Sequence, residues 1–471
     1  MLFNSLTFVV FFALVMALHA LPISWTAKKR NLLIASYLFY AVWNPPFVIL
    51  LWISTLTDWW VAGRMQSARG ARARRGLLFV SLAINLGLLA YFKYAGFVLE
   101  NLVTVLHALG VEYQPPPLGI ILPLGISFYT FQTLSYTISV YRGEMRPWNS
   151  FLDFALFVTF FPQLVAGPIV RAEDFLPQCL APTRVDGRQL GWGLAMMLIG
   201  LFQKVVLADA LLAPSADRVF ANPAGAGALD AWIGTLAFSA QILFDFGGYS
   251  SCAIGAGLCL GFRLPANFDA PYAASGFSDF WRRWHISLSS WLRDYLYIPL
   301  GGNRKGRRRT HVNLLLTMLI GGLWHGAAWN FVVWGGLHGL YLTLERLWRD
   351  ARRPSGRATT APGRLFVYLA TFAIVAVTWV FFRAAHLGDA FVLLGAMASV
   401  APAALLDARE CAIVGVIVAC TLIAHVSLRD VDLESFVPQL PVWIRSGALA
   451  AMLVSLMLSP GDDRAFIYFQ F

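Results

Sequence analysis

Charge is what this chain lacks most. Only 13% of its 471 residues are Asp, Glu, Lys or Arg, against about a quarter in soluble domains. That leaves too little polar surface to cover a water-exposed globule of this length. The apolar stretches recur along the whole chain, so a soluble domain on one anchor is excluded too. The residue alternation of a membrane barrel is absent. The five cysteines, Cys179, Cys252, Cys259, Cys411 and Cys420, form no CxxC pair and no disulfide framework. Also missing are a Walker loop, a GxSxG elbow, an HExxH pair and a Rossmann fingerprint. ATP-driven transport and ordinary serine hydrolysis therefore have no support. No metal site and no tightly bound cofactor is expected.

What is there is hydrophobic: 58% of residues are apolar and the mean hydropathy is +0.64. A spanning helix needs roughly 20 mostly apolar residues, and helices satisfy their own backbone groups in lipid. Apolar segments lie near 3–22, 31–44, 47–62, 77–99, 118–140, 190–212, 230–262, 311–328, 330–346, 364–383, 388–405, 411–427 and 443–459. The expected fold is all-α: a polytopic transmembrane helical bundle of about 11–13 spans, with re-entrant or interfacial helices, in a single domain over 1–471. Pro45-Pro46 splits one long apolar run into a hairpin.

Net charge is +11, from 36 Lys plus Arg against 25 Asp plus Glu. The basic residues sit in short loops, which fits positive-inside topology rather than nucleic acid. Placing the basic loops at 64–75, 142–146, 171–188, 282–309 and 346–364 inside leaves 100–117, 213–229 and 429–434 outside. That assignment predicts an N-terminus outside and a C-terminus inside. Residues 1–5 carry no charge and Lys28-Lys29-Arg30 follows the first apolar run, so a first span is expected rather than a cleaved signal.

Two stretches are apolar but poor spans. Residues 150–170 end in Phe161-Pro162-Gln163 and Gly167-Pro168, breakers that predict a re-entrant or interfacial segment. Residues 278–298 carry Trp281, Trp284, Leu288, Trp291 and Tyr295 at spacings of three and four. Those spacings predict one amphipathic helix lying flat at the cytoplasmic interface, capped by Ser278 or Asp279.

Ionisable groups inside apolar segments are costly and point to function. His325 lies 16 residues after Arg309, roughly 24 Å along a helix. Imidazole titrates near neutral pH and suits general-base work; a histidine hydrogen-bonded for packing is the plain alternative. His285 sits among Trp281, Trp284, Arg282 and Arg283, where an interfacial belt residue is the plainer reading. Arg282 and Arg283 suit the phosphates of a charged donor, or lipid headgroups. His338 reads as packing, and Lys93 as a snorkelling residue. Asp245 needs a partner that the sequence does not name.

Three runs then combine: Phe161-Pro162-Gln163-Leu164-Val165-Ala166-Gly167-Pro168-Ile169, Phe280-Trp281-Arg282-Arg283-Trp284-His285-Ile286-Ser287-Leu288 and Leu323-Trp324-His325-Gly326-Ala327-Ala328-Trp329. Together they resemble the membrane-bound O-acyltransferase family, in its bacterial alginate O-acetyltransferase-like branch. Residues 127–132, 297–303 and 466–471 are similar to that branch as well. The resemblance implies that His325 is the family's intramembrane histidine and His285 its second polar position. It also implies a helical ring around a central funnel. One position departs: Tyr249-Ser250 is followed by Ser251 where the family usually has Asp, so no carboxylate role is carried over there.

The function so implied is acetyl transfer from a cytoplasmic donor, most simply acetyl-CoA, with His325 as general base. Trp324, Trp329 and Asn330 would shape the chamber, and Arg282, Arg283 and Trp284 would meet the donor. The implied setting is the bacterial inner membrane with its lipid. The implied partners are an SGNH-type acetyltransferase outside and a polysaccharide such as alginate. The rivals are a transporter or flippase with His325 and Asp245 as a proton relay, and a structural scaffold for a polysaccharide synthase.

Overall fold

The computed structural model describes residues 1, 3–182, 184–351, 360–459, 464, 466 and 467. Among them every regular element is a helix. The 352–359 part of the expected basic loop and the 468–471 part of the terminal motif lie outside the described residues. Local chemistry sets several helix starts. Ser5, Ser24 and Ser150 each accept a backbone N–H three residues on, and Asp407 with Glu410 forms a capping box.

Six helices among the described residues are long and apolar enough to cross a bilayer, or seven if one bent pair counts as a span. The expected figure was higher, and burial explains much of the gap. Ile126–Arg142 is rich in Ser, Thr, Gln and Tyr and is buried almost throughout. Protein surrounds it, so it needs no apolar surface. Leu387–Met397 has only 11 residues, about 16 Å, too short to cross about 30 Å of hydrocarbon.

The chain forms two compact units. The first comprises residues 1–190, 256–264 and 326–328. Within it, Asp58 is fully buried between three helices, Val48–Ser67, Ala71–Leu89 and Ile126–Arg142. Its carboxylate accepts from Ser81 Oγ, from Thr137 Oγ1 at 3.0 Å and from Asn85 Nδ2 at 2.9 Å. Ser54 Oγ then donates to Asn85 Oδ1 at 2.5 Å. Elsewhere in this unit Lys29 pairs with Asp153 and donates to the Cys179 carbonyl at 3.0 Å. The 150–170 segment is broken, as its prolines and glycine predict: Phe151–Thr159 and Phe161–Leu164 meet at Phe160, and residues 153–170 are buried.

The second unit comprises residues 191–255, 265–325 and 329–471. Asp245 finds its partner here, because Lys204 Nζ lies between Asp245 and Asp209. Arg307–His325 and Trp329–Ala351 form a helical hairpin. At one end of the unit, Asp217 pairs with Arg383 and Arg464, at 2.7 and 2.5 Å, and Arg218 with Glu410 at 2.7 Å. At the other end, Arg283 meets Asp430 at 2.9 Å.

These pairs correct the expected sidedness. The 429–434 loop shares its side with Arg283, and Arg464 shares its side with the 213–229 loop. Residues 388–405 do not cross, so the described residues beyond them stand opposite to their expected side.

Candidate active site

The expected flat helix over 278–298 is instead broken in two. Phe277–Arg283 and Ile286–Leu292 are separate helices, with Trp284 extended and His285 left-handed at φ 43° and ψ 55° between them. Gly276 occupies the N-cap in place of Ser278 or Asp279, and the Asp279 carboxylate accepts from the Ser275 N–H at 2.8 Å. Burial explains the break. The aromatic stripe packs into protein, and Trp281, Trp284 and Trp291 are all buried.

The two arms lie along the helical hairpin. On the first arm Ser278 N–H donates to Glu345 at 2.9 Å, Phe280 stacks on His338 at 5.9 Å and Trp281 meets Trp334 at 5.7 Å. Contacts thus climb the helix Trp329–Ala351 toward its start. On the second arm a Cβ at Gly321 would lie 3.1 Å from Leu292 Cδ1, and Asn313 Nδ2 donates to the Gly302 carbonyl at 2.9 Å. This arm descends along Arg307–His325. The segment is therefore a V whose tip is His285, and that tip meets the turn of the hairpin at His325.

The two imidazole rings are 6.3 Å apart. His325 is 2% exposed and sits among Trp324 and Trp334, both at 5.1 Å, and Phe382 at 5.4 Å. His285 is wholly buried, with the edge of Phe246 at 4.7 Å and Trp324 at 6.0 Å. The expectation of an interfacial belt residue is thus corrected.

Asn267 holds the tip, and nothing in its sequence context marked it. Its carbonyl accepts the Ile286 N–H at 2.9 Å. Its Oδ1 accepts the Ser287 hydroxyl at 2.9 Å and the Ser287 N–H at 3.4 Å, while its Nδ2 donates to Ser250 Oγ at 3.1 Å. A backbone N–H only donates, which fixes the amide's orientation. His285 Nδ1 lies 3.1 Å from that same Oδ1. Since Oδ1 can only accept, Nδ1 carries a proton.

The remaining expected site residues divide. Trp324 is buried beside both histidines. Trp284 is wholly buried among Phe268, Phe280 and Trp379, so it is scaffold rather than donor surface. Arg283 is corrected as a phosphate ligand. Its guanidinium meets Asp269 at 2.9 Å, Asp279 at 3.2 Å and Asp430 at 2.9 Å, which leaves no charge to spare. Arg282 is exposed. Trp329 is 54% exposed, and Asn330 Nδ2 donates to the Ala384 carbonyl at 2.8 Å and ties two helices. His338 packs as expected, with Nε2 at 3.1 Å from Thr378 Oγ1.

A buried histidine pair thus stands where the broken segment meets the turn of the hairpin. Residues 55–377 match the family model of the membrane-bound O-acyltransferases. The chain belongs to the membrane-bound O-acyltransferase family. It is 41% identical over 446 residues to a probable alginate O-acetylase of Azotobacter vinelandii, covering 93% of this chain and 86% of that one. A Pseudomonas putida protein of the same description is 43% identical over 420 residues, 87% of this chain and 83% of its own. A peptidoglycan O-acetyltransferase of Helicobacter pylori is 39% identical over 395 residues, 78% and 73% of the two chains. As a membrane-bound O-acyltransferase this multi-pass membrane protein is an enzyme that takes an acyl group from a donor. The histidine pair lies within the matched residues.

Proposed function

We propose that the protein transfers an acetyl group from cytoplasmic acetyl-CoA, across the inner membrane, for O-acetylation of an extracytoplasmic polysaccharide such as alginate. The observation that carries this reading is the meeting of His285 and His325 at 6.3 Å. The relatives named for alginate O-acetylation support the polymer.

His325 acts as general base. It takes the proton of an acceptor hydroxyl, whose oxygen attacks the thioester carbonyl. The C–S bond then breaks, and the thiolate leaves with the proton that the imidazolium returns. A general base contributes typically 10²–10⁴-fold in rate. His285, with its Nδ1 turned to Asn267, backs the same site. Charge marks the donor side: Arg307, Arg308, Arg309, Arg346 and Arg349 crowd the open end of the hairpin, as cytoplasmic ends do. An SGNH-type protein on the far side would receive the acetyl group and pass it to the polymer.

The test is reconstitution of the full chain in vesicles with labelled acetyl-CoA. Wild type should consume thioester, and His325→Ala should lower transfer by about 100-fold or more while still eluting as a folded protein. Undiminished transfer by the variant overturns the assignment.

A further inference from the structure

A cavity of about 590 Å³ lies in the second unit, within the size range of small-ligand sites. One face of each of three helices lines it. Gln203 and Leu207 come from the helical run 187–221, Ser251 and Ile254 from Ala228–Cys259, and Val416 and Cys420 from Ala408–Leu428. Its inner end is the pair Asn267 and Ser250.

Two observations decide what fits. The first is where the cavity opens. The helix Ala408–Leu428 is strongly apolar and little of it is buried in the protein. Val416, in the middle of that helix, is 62% exposed, and Cys420 one turn on is exposed too. The mouth therefore lies on a surface that bilayer hydrocarbon covers. The second is the state of the polar groups at its inner end and along the third helix; Gln203, Ser251 and Asp269, each partly exposed, also line it. Asn267 Nδ2 donates to Ser250 Oγ at 3.1 Å, Thr421 Oγ1 donates to the Ile417 carbonyl at 2.7 Å, and His425 Nδ1 accepts the Tyr272 N–H at 3.2 Å. These groups are satisfied by protein. A polar guest would exchange its hydration for little there, whereas an alkyl chain loses nothing.

We propose that this cavity takes one acyl chain of a membrane phospholipid, entering sideways from the bilayer with its end against Asn267 and Ser250. The chain would back the amide that fixes the His285 tautomer. The assignment stands on the cavity and its surroundings, independently of acetyl transfer.

The experiment places the full chain in nanodiscs that contain a phospholipid with a diazirine at the chain terminus. After photolysis, adducts are mapped by peptide mass spectrometry. Adducts are expected within 243–254 as well as on the exposed helix face over 71–108. Ser251→Trp, which fills the cavity, should lose the first set and keep the second. Where Ser251→Trp does not fold, Ala424→Phe narrows the same cavity from a more exposed position and should have the same effect. The proposal is overturned if 243–254 stays unlabelled in wild type, or if plugging leaves its labelling unchanged. Loss of that labelling on addition of acetyl-CoA would also overturn it, by giving the cavity to the donor.

Discussion

Asp58 and His325 are both polar, both buried and both on helices of a membrane protein, yet their surroundings differ in kind. Asp58 sits inside regular helix, and its three partners Ser81, Asn85 and Thr137 come from regular helices. That network closes on itself and clamps three helices. His325 ends its helix, and His285 stands between two helices in a left-handed conformation. Their rings are brought together where the backbone is irregular. Polar groups buried within intact helices hold the fold, whereas these two histidines stand where the helices break.

Substitutions can break that contrast or sharpen it. The largest effect is expected from His325→Ala, a loss of about 10²–10⁴-fold in acetyl transfer with little change in thermal stability. Asp58→Ala should do the reverse. It leaves Ser81, Asn85 and Thr137 facing an unfilled acceptor site, so stability in detergent should drop by about 2–3 kcal/mol, while the folded fraction keeps its turnover. An inactive but equally stable Asp58→Ala would erase the distinction. Asn267→Ala should reduce turnover by roughly tenfold, on the scale of lost supporting hydrogen bonds, and shift the pH–rate profile, because His285 loses the acceptor that sets its tautomer. A shift in KM alone would make Asn267 a mere packing residue.

The smallest effect concerns the Arg283 cluster. Burial alone would push the Asp279 carboxyl up; the Ser275 N–H, with Arg429 and Arg283, holds it below the usual range instead. A carboxyl held low in the folded state contributes stability above its unfolded value of about 4 and loses it as pH falls toward the folded one. Between about pH 5 and about pH 3, wild type should therefore lose up to about 1 kcal/mol more than Asp279→Asn. Equal losses in thermal unfolding would show that the cluster adds nothing.

The sequence made the helices and His325 legible because each leaves a local mark. Apolar runs, prolines and an imidazole far from any basic loop can be read one segment at a time. Other features were not local. The stripe Trp281, Trp284, Leu288 and Trp291 has helical spacing, but the periodicity persists across the break at Trp284 and His285, so one flat helix was expected. Spacing cannot tell an aromatic face turned to lipid from one packed on Trp334 and Trp379. Asn267 stood in an unremarked loop, and only its approach to His285 gives it a role. Arg283 looked like a phosphate ligand until the carboxylates of Asp269 and Asp430, 14 and 147 residues away, were seen to claim it. The short helix Leu387–Met397 passed as a crossing on composition alone, and that miscount moved the 429–434 loop and Arg464 to the wrong side.

The φ of 43° at His285 leaves a mark that a saturation library can read. Left-handed backbone is tolerated by glycine, asparagine, aspartate and histidine, and resisted by β-branched side chains. Expression level at codon 285 should rank those residues by backbone tolerance, while turnover should rank them by whether they carry an imidazole. Two rankings that part at one codon would separate what evolution tolerates in the chain's shape from what it requires of the chemistry.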